Sequence, residues 1–230
     1  MVSSQATEGV WWMIDRRKLA PLLTVAHTAI ATGGRRTTVR RWTVENAGGA
    51  PLVHANAPRG YGEPVVPFLG VVEAHVLRAF RDFGIPLREI REAVGTLRQE
   101  AGGEYALASQ DLAASGLDLM VRRGGAWERA RDRQYLPDFA IPYLKAISYG
   151  SDGLADTLRL KGYDSAEVIL DPRFNYGRPV FAGSKAAVED VLDLFYAGEP
   201  VNVVAEEFRI EPADVEAALR AHQRVLPRTA

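Results

Sequence analysis

The chain has 230 residues, 47% of them hydrophobic and 25% charged, a composition that calls for a buried core and excludes disordered or fibrous classes. Cysteine is absent, which excludes a disulfide framework and any thiolate site for zinc, catalysis or redox sensing. The net charge of −1 conceals an asymmetry. Residues 1–60 hold 8 Lys+Arg against 3 Asp+Glu (+5), residues 61–130 hold 8 against 10 (−2), and residues 131–230 hold 12 against 16 (−4). A basic end that meets a polyanion and an acidic body with a different partner are the expectation.

No run approaches the roughly 20 apolar residues that span a bilayer. The opening MVSSQATEGVWWMIDRRK lacks a basic segment followed by an apolar run and a small-residue cleavage site. A cytoplasmic protein without membrane contact is therefore expected. In LLTVAHTAIAT, residues 22–32, Val25 and Ala29 share one face of a short helix that Thr24 is placed to cap. Gly33 and Gly34 break it. A second short helix follows in GGRRTTVRRW, residues 33–42, with Thr37 as its expected cap, Val39 and Trp42 on one face, and Arg40 and Arg41 elsewhere. Two short helices across a glycine turn form a helix-turn-helix candidate.

Residues 47–67 are rich in Gly, Pro and Ala and read as a loop or a short ribbon, with one strand near Leu52 and Val53. A long helix follows on the spacing of Leu69, Val72, Val76, Phe80 and Phe83, stopped by Gly84. Pro86 opens another helix, with Ile90, Val94 and Leu97 as its stripe and Gly102 and Gly103 as its end. Leu117, Leu119 and Val121 alternate ahead of Gly124, Gly125 and Trp127, which predicts a hairpin. Tyr143 to Leu160 reads as helix in pieces, interrupted at Gly150 and Gly153, and a domain boundary is placed near Gly162. Strands are expected at Val168–Leu170 and Pro179–Phe181, then helices at Ala187–Tyr196, Val201–Phe208 and Ala213–His222. The last two make a second helix-turn-helix-like unit, but Glu206, Glu207, Glu211, Asp214 and Glu216 suit it poorly to DNA.

Catalysis has little to work with. His27, His54, His75 and His222 share no short spacing, so no metal-binding pair or acid-base constellation stands out, and His75 beside an apolar stripe reads as a core histidine. No catalytic residue, metal or cofactor is predicted. The basic stretch is more informative, because DNA affinity rests on Lys and Arg set against phosphates along a helix able to enter the major groove. Arg35, Arg36, Thr37, Thr38, Arg40 and Arg41 are the expected DNA-binding residues.

TVAHTAIATGGRRTTVRRW resembles the reading head of MerR-like regulators, and VPFLGVVEAHVLRAFRDFGIPLREIREAVGTLR resembles the helix pair that follows such heads in one group of these proteins. DPRFNYGRPVFAGSKAAVEDVLDLFYAGEPVNVVAEEFRIEPADVEAALRAH is similar to a small bacterial domain of unknown function with an Asp-Pro, Gly-Arg-Pro-Val, Gly-Thr-Arg pattern. Together, over roughly Leu22 to His222, they resemble the two-domain VapB-type antitoxins. Two departures stand out: Gly34, followed by Arg35 and Arg36, where the family usually has an apolar residue, and Gly183, Ser184, Lys185, Ala186, Ala187 and Val188 where Gly-Thr-Arg-Ile-Pro-Val is usual.

The resemblance implies a mainly α protein with a few short strands. It has a winged helix-turn-helix DNA-binding domain over residues 22–162, a small helical domain over 163–230, and an extension over 1–21. It further implies an antitoxin that binds and inhibits a PIN-like ribonuclease toxin and represses its own operon at operator DNA; a homodimer is expected because one head makes few phosphate contacts and operators usually match a two-fold protein. Arg224 or Arg228 of the tail is the expected toxin contact, as a cation offered to the carboxylates that hold the nuclease's metal. The alternatives are a stand-alone regulator that senses a small ligand, and an enzyme or ligand-binding module in which the basic stretch is only surface.

Overall fold

The computed structural model describes residues 14–44, 50–58, 60, 62–82, 84–100, 104–110, 143 and 145–225. A ribbon opens the described chain. Strand β1 (Pro21–Leu23) pairs antiparallel with β2 (Val66–Pro67), Pro21 opposite Pro67 and Leu23 opposite Val66. A proline lacks the amide donor of a central strand, which suits this two-stranded element. The Thr24 hydroxyl accepts the His27 amide at 3.1 Å, so α1 (Val25–Ala31) begins at the expected cap. The next helix is α2 (Arg36–Trp42).

Helix α3 (Phe68–Asp82) is the hub. Leu69, Val72, Val76 and Phe80 are buried as their spacing requires, and so are Phe68, Val71, Ala74 and Leu77 on its other faces. The cause is the company it keeps: β1, β2, α1, α4 (Leu87–Glu100), strand β4 (Ala155–Arg159) and the 3-10 turns at Arg16–Lys18 and Ala106–Ala108 all pack on it. Gly84 follows at φ 79°, its amide bonded to the Arg81 carbonyl, and Pro86 stands immediately ahead of α4. Phe83, Gly102, Gly103 and the hairpin expected around Leu117–Trp127 lie outside the described residues.

Between Tyr143 and Leu160 the expected helix is replaced by a hairpin, β3 (Ile147–Tyr149) with β4, in which Ile147 faces Leu158 and Ser148 faces Thr157. The two glycines that would have interrupted a helix make its turn: Gly153 sits at φ 72°, and the Gly150 amide donates to the Leu154 carbonyl at 2.8 Å. Strands β5 (Val168–Leu170) and β6 (Val180–Phe181) complete an antiparallel sheet of order β3-β4-β5-β6. Gly162 lies in a 3-10 turn (Lys161–Tyr163) between β4 and β5, and the hydrophobic core runs without a break from Leu23 to Ala218. The strand expected at Leu52 and Val53 does not form. Both residues are buried, but their amides converge on the single carbonyl of Trp42, at 2.9 and 3.0 Å, instead of entering a ladder.

The sheet is followed by α5 (Val188–Tyr196), α6 (Val201–Phe208) and α7 (Pro212–Val225), close to the expected bounds. Val191, Val204, Val215 and Ala218 bury the shared face.

Three buried polar groups fasten these parts together. The ammonium of Lys18, 5% exposed, lies 2.8 Å from Asp152 and 2.6 Å from Asp156, so the first turn is clamped to the β3–β4 hairpin. His75 gives its Nε2–H to the Tyr143 carbonyl at 3.2 Å, and burial pushes its pKa down to about 4, which makes it the neutral core histidine its position implied. Glu73, fully buried, accepts the His54 backbone amide at 2.8 Å and its Nδ1–H at 2.9 Å.

The helix must come very close to the strand of chain at His54 for that contact. A Cβ on Gly70 would meet the His54 carbonyl oxygen at 2.4 Å, whereas one on Gly95 of α4 would meet nothing within 4 Å. Gly70→Ala is expected to destabilise by about 1–3 kcal/mol through overpacking. Gly95→Ala should instead stabilise by about 0.4–1 kcal/mol through lost freedom in the unfolded chain. Denaturant melts of the two variants check the opposite signs.

Candidate nucleic-acid interface

Helices α1 and α2 meet across Gly33 and Gly34. Gly33 takes φ 69°, and the Gly34 amide donates to the Ala29 carbonyl at 2.7 Å, closing the end of α1. Thr28 and Thr32 return their hydroxyls to the carbonyls of Thr24 and Thr28, so α1 faces inward without an orphaned donor. From α2, Val39 and Trp42 are buried, each worth about 1.5–3 kcal/mol of transferred apolar surface. They seat the helix as their spacing predicts.

The expected DNA-binding residues then fall where burial leaves them. Arg35, Arg36, Thr37, Arg40 and Arg41 are exposed, and Thr38 is half-buried. The structure gathers all six on one short helix and the residue before it. The cap differs from expectation: Arg35, not Thr37, is the N-cap, in extended conformation and with no side-chain bond to the first turn, and Thr37 lies inside the helix. The turn after Gly34 is too short to place Thr37 ahead of the helix, so the capping position falls on a cation.

Other arginines near the head are occupied. Arg78 pairs with Asp82 at 2.7 Å and donates to the Gly33 carbonyl at 2.7 Å. Arg91 and Arg98 from α4 donate to the carbonyls of Ala50 and Pro51. Arg35, Arg36 and Arg40, by contrast, form no ion pair with a described residue. Arg35, Arg36 and Arg40 thus expose positive charge that no described carboxylate pairs with.

Sequence spacing did not reveal one polar cluster. His54 reaches Glu73 on one side and lies 3.3 Å from Glu104 on the other, with the Tyr105 ring 4.4 Å away. Burial lowers the His54 pKa, but the Glu73 hydrogen bond and charge outweigh it and the net shift is upward. Tyr105 is pushed up to about 12 by burial and by the charges of Glu104 and Glu73, which keeps its phenol protonated. The cluster fastens the chain near His54 to α3. Among the described residues no group of three His, Asp or Glu is arranged to hold a metal ion, and no helix is long and apolar enough to cross a membrane.

The bare cap generates a stability prediction. Arg35→Ser supplies the hydroxyl acceptor that α2 lacks and is expected to stabilise the protein by about 0.5–1 kcal/mol, read from the shift in a denaturant midpoint.

Residues 17–94 match a family model described as "Putative DNA-binding HTH domain", and residues 168–220 one described as "Protein of unknown function (DUF433)". A curated relative, "Putative antitoxin VapB45" of Mycobacterium tuberculosis, is 35% identical over 237 aligned residues, covering 90% of this chain and 96% of the relative. The X-ray crystal structure of Rv2018 from Mycobacterium tuberculosis is similar at a TM-score of 0.69 and 31% identity, over 87% of this chain and 98% of that one. With a helix-turn-helix head and a relative aligned along nearly its whole length, the chain belongs to the VapB-type antitoxin family.

Proposed function

We propose that this protein is a cytoplasmic antitoxin, not an enzyme, that holds a PIN-like ribonuclease toxin inactive and represses its own operon as a homodimer. Residues 22–162 supply the operator-binding function and residues 163–230 the toxin-binding function. The observation that carries the DNA half is the polarity of α2: Val39 and Trp42 buried, with Arg35, Arg36 and Arg40 exposed and without ion pairs among the described residues. Arg35, Arg36, Thr37, Thr38, Arg40 and Arg41 would meet phosphates and base edges when α2 lies in the major groove. A single head of this size makes few contacts. Two heads on a two-fold axis would read half-sites about one helical turn apart.

Replacing Arg40 and Arg41 by alanine tests the repressor. Operator affinity should fall roughly tenfold per lost charge-assisted bond, and the slope of log affinity against log salt should flatten by about 2. Fluorescence anisotropy on operator DNA at several salt concentrations reads both. Unchanged affinity and slope would remove the arginines from the interface.

The toxin half is supported by the family and by the acidic body, net −4 over residues 131–230. Arg224 lies in the last turn of α7, and Arg228 beyond the described residues. Either would place a cation against the carboxylates of the nuclease's metal site. Co-purification with the ribonuclease encoded beside it is the expected outcome. Deleting the last eight residues should weaken inhibition of that enzyme in a purified cleavage assay, and intact inhibition would discard the tail arginines as its cause.

A further inference from the structure

A groove of about 630 Å³ opens on the surface between α5 and α6. Its floor is apolar, made by Leu194, Val203 and Phe208, and Val203 is 40% exposed to water there. Its rim is acidic: Asp190, Asp193, Glu199 and Glu207 surround it, all exposed, and no Lys, Arg or His lines it.

The rim carboxylates surround apolar side chains and lack the ion pairs that several of their neighbours make. Some carboxylates of the acidic body have partners: Glu167 pairs with Arg159 at 3.1 Å, Glu189 with Arg178 at 2.6 Å, and Asp164 with Arg220 at 3.1 Å, whereas Glu206, Glu211 and Asp214 form no ion pair with a described residue. None of the four rim carboxylates forms an ion pair with a described residue. Glu189 and its neighbour Asp190 make the contrast within a single dipeptide. Asp190 and Asp193 are also three apart on α5, where like charges face each other and cost stability.

A shallow, open apolar depression bordered by unpaired carboxylates is complementary to one kind of occupant. Nucleic acid is repelled by it. A single metal ion is not served either, because these carboxylates are too dispersed to form a group of three ligands. What fits is a ligand that spreads several positive charges around one or two apolar side chains.

We infer that the α5–α6 groove docks a basic, amphipathic segment of the toxin, seating apolar side chains on Val203, Leu194 and Phe208 and its Arg or Lys residues against the four carboxylates. This rests on the antitoxin reading and gives it a surface separate from the tail.

The test uses the full-length chain and the ribonuclease encoded beside it, with affinity measured by calorimetry. In one variant Asp193→Lys and Glu207→Lys reverse two rim charges. In a second, Glu206→Lys and Glu211→Lys make the same change in net charge outside the groove. The rim variant should bind at least about tenfold more weakly and with less dependence on salt, while the second stays within about twofold of the parent. Circular dichroism melts of both verify that these exposed positions leave the fold intact, and Val203→Asp supplies an independent change to the floor with the same expected loss.

Equal weakening by both charge variants would mean a general field rather than a docking groove, and would overturn the inference. So would parent-like affinity of the rim variant, which leaves the antitoxin reading standing. A change in sedimentation of the rim variant alone, without toxin, would make the occupant a second copy of this chain and overturn it likewise. Failure of the parent to bind the ribonuclease would bring down the antitoxin reading and the groove's assignment together.

Discussion

A carboxylate sealed inside a protein has to be met by donors, and Glu73 dictates much of what surrounds it. It sits at zero exposure in the middle of α3 and is satisfied by both the amide and the imidazole of His54. Removing the imidazole would leave the buried carboxyl group with the His54 amide alone, at a cost of about 1–3 kcal/mol. The chain near His54 is therefore held hard against the helix, at a distance only Gly70 permits. Because the preceding Leu52 and Val53 hang from the Trp42 carbonyl, the same contact also fixes the end of α2. The position of α2 is thus set from behind, by a polar contact in the core.

A second chain of polar contacts reaches the other end of the head. Arg78 of α3 donates to the Gly33 carbonyl in the turn and pairs with Asp82, which accepts the hydroxyl of Tyr143 at 3.0 Å. The ammonium of Lys161 lies 3.4 Å over that tyrosine's ring. The 3-10 turn that carries Lys161 also packs on α1 and α7. Head, central helix and sheet are consequently joined by charges that neutralise one another, while exposed Arg35, Arg36 and Arg40 on one side and Asp190, Asp193, Glu206 and Glu207 on the other form no ion pair with a described residue. Surface ion pairs contribute little individually, so the distinction matters less for stability than for what each face attracts.

The legible parts of this fold were those governed by local rules. Thr24 before an apolar periodic run, Gly84 after one, and Val39 with Trp42 at helical spacing each encode a cap, a stop or a buried face within a few residues, and they fell where expected. Helices α5 and α6 were equally plain, because their boundaries carry Gly198 and Pro200. Misreadings came where tertiary contact decided. Gly150 and Gly153 break a helix and turn a hairpin with equal ease, and only pairing with β5 across the sheet selects the strand. His54, Glu73 and Glu104 are separated by 19 residues or more, so no spacing could announce them. The unpaired state of Asp190 beside paired Glu189 is likewise a property of three-dimensional neighbours.

The turn of the head shows how such a departure is absorbed. Where related heads usually carry an apolar residue, this one has Gly34, and a Cβ there would lie 3.5 Å from the Thr32 hydroxyl and 3.7 Å from a Val39 methyl. Those are ordinary contact distances, so steric demand does not explain the glycine, and a side chain would have added apolar contact between the two helices. The lost packing is offset in another currency. The guanidinium of Arg78 grips the Gly33 carbonyl at 2.7 Å from the rigid end of α3, a charge-assisted bond of about 1.5–3 kcal/mol. The turn is thus anchored to the core helix as well as to the end of α1, and Arg35 and Arg36 follow it exposed. That arrangement favours a cationic surface over a tightly packed turn, and it is the same preference that puts an arginine, not a threonine, at the cap of α2.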